Sequence, residues 1–99
     1  MNVEQGMKRL AECRRSIDDI DIRILALLNE RTLVVQEIGR VKRAFGMPIY
    51  EPKREDEVFQ NVTANNPGPL SGDALRRVFE RIIDEMRGVQ RDRMTEGKQ

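Results

Sequence analysis

Between about Met7 and Phe45 the chain carries apolar residues at heptad spacing with no proline to break it, and this stretch constrains everything else. Leu10, Ile17, Ile24, Arg31, Ile38 and Phe45 fall seven apart, while Cys13, Ile20, Leu27, Val34 and Val41 fill the alternate seam position. The pattern predicts one very long amphipathic helix. Gly39 lies inside it, at a tolerable cost of roughly 1 kcal/mol. The seam is apolar except at Arg31.

At ~1.5 Å per residue such a helix is roughly 57 Å long, whereas a compact chain of this size has a radius of gyration near ~13 Å. A second copy lying along the helix would cover the seam, so the pattern predicts a homodimer. Arg31 and Lys42 are eleven residues apart and share a face at a separation of ~16 Å, within reach of one small dianion and its contacts. Arg14 is ~42 Å from Lys42 along the axis and could join that site only from another chain. In an antiparallel pair with its twofold axis near Ile24 and Leu25, Arg14 of one chain comes level with about Gln36 of the other, between Arg31 and Lys42. Symmetry then gives two equivalent sites per dimer.

Composition narrows the chemistry. Of the 99 residues 35% are charged and 38% hydrophobic, with three Phe, one Tyr and no Trp, which suits a helical domain. A net charge of +1 offers no general attraction to nucleic acid or to an anionic membrane. The single cysteine, Cys13, reads as a small core residue and suits a reducing cytoplasm. Histidine is absent, and with it the commonest general base and metal ligand. No metal site or cofactor is expected, and no membrane span.

Residues 1–6 read as a frayed lead-in. Gly46, Met47 and Pro48 mark a break, with Ile49 and Tyr50 packing across the loop. A second helix is predicted from about Pro52 to Ala64, with Pro52 at its first position and Glu51 as a poor N-cap. Its stripe is narrow, formed by Val58, Phe59 and Val62. Residues 65–69, with two asparagines and two prolines, are a stop and loop. Ser71 is a suitable N-cap for a third helix to about Arg93, burying Leu75, Val78, Phe79, Ile82, Ile83 and Met86, with Gly88 allowing a close helix contact. Residues 95–99 read as solvated. The reading is all-α, one domain over 1–99, three helices per chain.

Several polar residues stand out, each with a bland reading beside the functional one. Arg31 in an apolar seam is an anion ligand, half of a structural ion pair with Glu30, Glu37 or a partner-chain carboxylate, or a side chain that snorkels outward. Lys42 and Arg14 flank the seam as either site residues or solvated charge. Gln90, four residues after Met86, brings an amide to an apolar face, where it must find a partner or reach water. Glu51, Arg54 and Glu55 surround the start of the short helix, where acidic residues also compensate the helix dipole.

Arg14, Ile17, Asp18 and Asp21, then Leu25, Leu27, Leu28 and the Glu30–Arg31 pair, then Lys42, Arg54–Glu55, and finally Phe79, Ile82, Ile83 and Gln90, form a series that resembles the all-helical class of chorismate mutases. The resemblance runs from Leu10 to Arg91. It implies an intertwined antiparallel homodimer and the Claisen rearrangement of chorismate to prephenate, a step toward phenylalanine and tyrosine, with no cofactor. By matching position it implies that Arg14, from the partner chain, and Arg31 bind substrate carboxylates. Lys42 then reaches a carboxylate and the ether oxygen of the breaking bond, and Gln90 donates to that oxygen from the other side. Glu55, helped by Glu51, holds the ring hydroxyl, and Arg54 adds positive charge.

Two positions depart from the pattern: Glu51 stands where the family often has aspartate, and Met86 where some members have a small hydroxyl residue. A related helical lyase that removes pyruvate from isochorismate shares the cation framework, although the Arg54–Glu55 pair favours the mutase. A non-catalytic dimerising module accounts for the heptads but gives no reason for an amide at position 90.

Overall fold

The computed structural model describes residues 1–95, which form three α-helices and no strand: α1 Val3–Phe45, α2 Pro52–Ala64 and α3 Gly72–Thr95. The all-α, three-helix reading holds, and the helix ends follow from local chemistry. α1 begins four residues earlier than its heptads suggest. The Asn2 side chain accepts a hydrogen bond from the Gln5 backbone N–H at 2.8 Å, and the Gln5 side chain accepts one from the Asn2 N–H at 3.0 Å. This reciprocal cap satisfies two donors that a helix start leaves open. Residues 3–6 are therefore helical rather than frayed. α3 likewise runs to Thr95, whose hydroxyl donates to the carbonyls of Arg91 and Asp92; residues 96–99 of the expected solvated tail lie outside the described residues.

α1 stops at a left-handed glycine. Gly46 has φ +65°, its N–H reaches the Arg43 carbonyl at 3.4 Å, and the Met47 N–H reaches the Lys42 carbonyl at 2.8 Å. The pair of bonds forms a Schellman turn, which satisfies the last carbonyls and turns the chain back. At the start of α2, Pro52 occupies the first turn and the Glu51 side chain makes no capping bond. Ser71 caps α3 through the Ala74 N–H at 3.1 Å.

The chain divides into two compact units, Met1–Leu33 and the part from Val34 onward. The first holds the greater part of α1. Its seam residues are exposed on the chain, among them Ile17, Ile24 and Leu27, and so is Cys13, which the sequence reading had placed in a core. The second unit holds the end of α1, α2 and α3. Its core is small: Val35, Leu75, Ile83 and Met86 are buried, together with Gly39 and Lys42. Val78, expected in that core, is half exposed, and Phe79 and Ile82 are half-buried. Tyr50 is exposed rather than packed in its loop.

The face of α1 that packs within this unit is Val35, Gly39 and Lys42 rather than the heptad seam, whose Val34, Ile38 and Val41 remain exposed. At Gly39 α3 comes close. A methyl group there would sit 3.1 Å from Cβ of Arg93, 3.2 Å from the Gln90 carbonyl oxygen and 3.3 Å from its Cα. Gly88 faces open space instead, so the close contact predicted there belongs to Gly39. Gly39→Val should therefore push α3 away and destabilise the unit by about 1–3 kcal/mol, read as a lowered midpoint of thermal unfolding. A midpoint equal to that of the parent would show that the approach is not tight.

Candidate active site

Lys42 lies in the last turn of α1, where a cation suits the helix dipole, yet it is only 4% exposed. An ammonium taken out of water costs several kcal/mol unless partners replace its hydration. Here three do. Nζ donates to the Ile49 carbonyl at 2.9 Å and to Oε1 of Gln90 at 2.7 Å, and it pairs with Oε1 of Glu51 at 2.7 Å. An ammonium has three donors, so this set matches its capacity. The Schellman turn is what makes the set possible, because it returns residues 49 and 51 to the end of the helix they have just left. Glu51 is a poor N-cap for a reason visible only here: its carboxylate is committed to Lys42.

Gln90 is half-buried on α3 and reaches Lys42 across 48 positions of sequence. Because its carbonyl oxygen accepts from Lys42, the amide is orientated, and Nε2 makes no hydrogen bond among the described residues. An ammonium and an amide donor are thus held side by side. The Glu51 side chain is 42% exposed, so its carboxylate can exchange Lys42 for water when a ligand arrives.

A second polar rung lies beside the first. Glu55 follows Glu51 by one turn of α2, ~6 Å along the axis, and Arg87 precedes Gln90 by one turn of α3. The Arg87 guanidinium grips both carboxylate oxygens of Glu55, through Nε at 2.8 Å and Nη2 at 2.5 Å. Its Nη1 reaches Asp84 at 3.3 Å, and its Cζ lies 5.4 Å from the centre of the Tyr50 ring. The hydrogen bond to Glu55 raises the Arg87 pKa above its ordinary value; partial burial opposes this, and the charges of Glu55 and Asp84 add to it. An open groove of about 520 Å³ has Glu55 and Arg87 in its wall and none of Lys42, Glu51 or Gln90. Sequence reasoning missed Arg87, although its place one turn from Gln90, opposite an acidic pair one turn apart, was a usable signal.

Of the remaining candidates, two lie on the helices of the second unit and two in the first. Arg54, exposed, pairs with Glu57 at 3.6 Å along its own helix, and no bond among the described residues joins it to Lys42 or Glu55. Met86 is buried as packing. Arg14, exposed, and Arg31, half-buried, belong to the first unit.

The sequence profile of the family described as chorismate mutase type II matches residues 13–91, which include every member of both rungs. This chain belongs to that family. Among type II chorismate mutases and their relatives, a bifunctional chorismate mutase/prephenate dehydratase of Aquifex aeolicus is 38% identical over 81 residues, 78% of this chain and 22% of that protein. The chain thus spans about a fifth of the length of this curated relative. Chorismate mutase (form II) of Thermus thermophilus superposes with a TM-score of 0.81 at 38% identity, covering 84% of this chain and 94% of that one. Chorismate mutase of Helicobacter pylori, solved in complex with prephenate, superposes with a TM-score of 0.83 at 27% identity, covering 90% and 97% of the two chains.

Proposed function

We propose that this chain converts chorismate to prephenate, in the cytoplasm, on the route to phenylalanine and tyrosine. The observation that carries the reading is the buried Lys42 ammonium tied at 2.7 Å to the Gln90 amide oxygen, which leaves the amide's N–H side, unbonded among the described residues, to face a ligand. In the rearrangement one carbon–oxygen bond breaks while one carbon–carbon bond forms within a single molecule, and no proton moves. Catalysis then consists of holding the compact conformer and stabilising negative charge that grows on the ether oxygen. Lys42 Nζ and Gln90 Nε2 are the two donors assigned to that oxygen. A chain without histidine loses nothing by this chemistry.

The substrate is a dianion, and its carboxylates are proposed to meet Arg31 and, from a partner chain, Arg14. On entering, the substrate displaces Glu51 from Lys42, and the N–H so released is shared between the ether oxygen and a neighbouring carboxylate, while Glu51 is freed to help Glu55 hold the ring hydroxyl. Arg54 contributes positive charge from a distance. A relative that holds prephenate supports the product assignment.

The proposal includes an antiparallel homodimer, because the row of exposed Ile and Leu on α1 would each contribute ~1.5–3 kcal/mol if buried against a second copy. Leu27→Glu should convert a species of twice 11.5 kDa into monomer in sedimentation velocity and abolish activity with it. A parent protein that already sediments as monomer would sink the dimer.

The activity is tested by giving the purified protein chorismate and isochorismate separately. Prephenate from the first is the expected product. Pyruvate and salicylate from the second, with the first untouched, would reassign the site to lyase chemistry, and no reaction with either would reject catalysis.

A further inference from the structure

We infer that Arg87 is a positioning residue of the reaction, acting through Glu55, and that it decides how strictly the site demands a hydroxyl on the ring it binds; this rests on the proposed mutase activity. The inference starts from the geometry of the pair. Arg87 uses a fork of two parallel N–H groups, at 2.8 and 2.5 Å, so both oxygens of Glu55 are engaged at once. A bidentate guanidinium fixes the plane of a carboxylate as well as its place, which a single point contact cannot do. Arg87 is itself held by Asp84 and by the ring of Tyr50. Its guanidinium is fixed from three sides.

That matters because of what the fork leaves over. Each carboxylate oxygen has two lone-pair positions, and Arg87 occupies one on each. The other two can accept from a ligand, and only from a ligand that donates. Glu55 has three rotatable side-chain bonds and sits only one turn from Glu51, so without the fork it is free to swing away. Its side chain is 18% exposed in the pair, which leaves an approach for one hydroxyl but little room for movement. The two rungs then divide the work: Lys42 and Gln90 meet the breaking bond, and Glu55, aimed by Arg87, meets the ring. A site built to hydrogen-bond a hydroxyl rejects an analogue that lacks it. With Glu55 loosened, that discrimination weakens.

A merely structural ion pair between α2 and α3 would account for the same contacts, and the test separates the two. Arg87→Met, Arg87→Lys, Glu55→Gln and the double variant Glu55→Gln/Arg87→Met are compared in steady-state turnover of chorismate, with thermal unfolding measured on each. Arg87→Met is expected to lose ~10- to 100-fold in kcat/KM, as misplaced groups do, and Arg87→Lys to recover only part of it. In the Glu55→Gln background the same Arg87→Met change should cost less than about twofold more, because its effect passes through a carboxylate no longer there. Losses that multiply in the double variant would overturn the inference, as would Arg87→Met or Arg87→Lys turning over at the parental rate or faster. If Arg87→Met fails to fold, Arg87→Lys, which keeps the charge and loses the fork, decides alone. A parent protein inactive on chorismate rejects the proposed function, and the role of Arg87 falls with it; an active parent with multiplying losses rejects only the role.

Discussion

Replacing Lys42 with alanine is expected to slow chorismate turnover by ~10²- to 10³-fold, the usual effect of removing one preorganised donor from a developing negative charge. Among the described residues Lys42 is the one charged side chain in the buried core, and both Glu51 and Gln90 are arranged around it. The substitution also leaves three acceptors without their donor. Each buried one that stays unsatisfied costs about 1–3 kcal/mol. Glu51 is exposed enough to regain water, so the stability loss falls chiefly on the Ile49 carbonyl and the Gln90 amide. A melt beside the kinetic assay separates the two effects: the protein should remain folded at 25 °C and lose its rate. Arginine is no substitute, because a planar fork cannot reproduce three donors radiating from one nitrogen. Lys42→Ala turning over near the parental rate would remove Lys42 from the reaction.

Gln90→Ala should produce a loss of similar order, ~10² or more in kcat, with a smaller change in stability. Lys42 keeps Ile49 and Glu51 as partners, and the amide removed is only half-buried. The loss should fall on kcat rather than on KM, since the amide meets charge that is present only as the bond breaks. Steady-state kinetics over a range of chorismate concentrations read this directly. An effect confined to KM would make Gln90 a ground-state contact and leave Lys42 as the sole donor to the ether oxygen.

Much of the machinery was readable from residues taken a few at a time. The stop at Gly46, the proline start of α2 and the Ser71 cap are contacts among near neighbours, so their residue types announce them. The Asn2–Gln5 cap is equally local, but it lies ahead of Met7, where the heptads begin, and so outside the periodic signal. Lys42, Glu51, Glu55 and Gln90 were each suspect on their own, as polar groups out of place or grouped at a helix start. Cys13 and Tyr50 differ for the opposite reason: their chemistry suits burial, but both are exposed on the described chain, Tyr50 with the Arg87 guanidinium beside its ring.

Three helices, their approximate ends, and an apolar seam too long for one small globule to hide are legible in the residues alone. The packing alone reveals that Val35, Gly39 and Lys42, one step round the helix from the seam, form the buried face, with Gly39 and Lys42 meeting α3, and that Glu55 finds Arg87 while Arg54 pairs along its own helix. The reason is that periodicity tells which side chains share a face, whereas which face meets which depends on the rotation and offset of one helix against another. That relation is set by packing between residues dozens of positions apart, and a glycine at 39, ordinary as a letter in the chain, is what lets α3 come near enough for an amide to reach an ammonium.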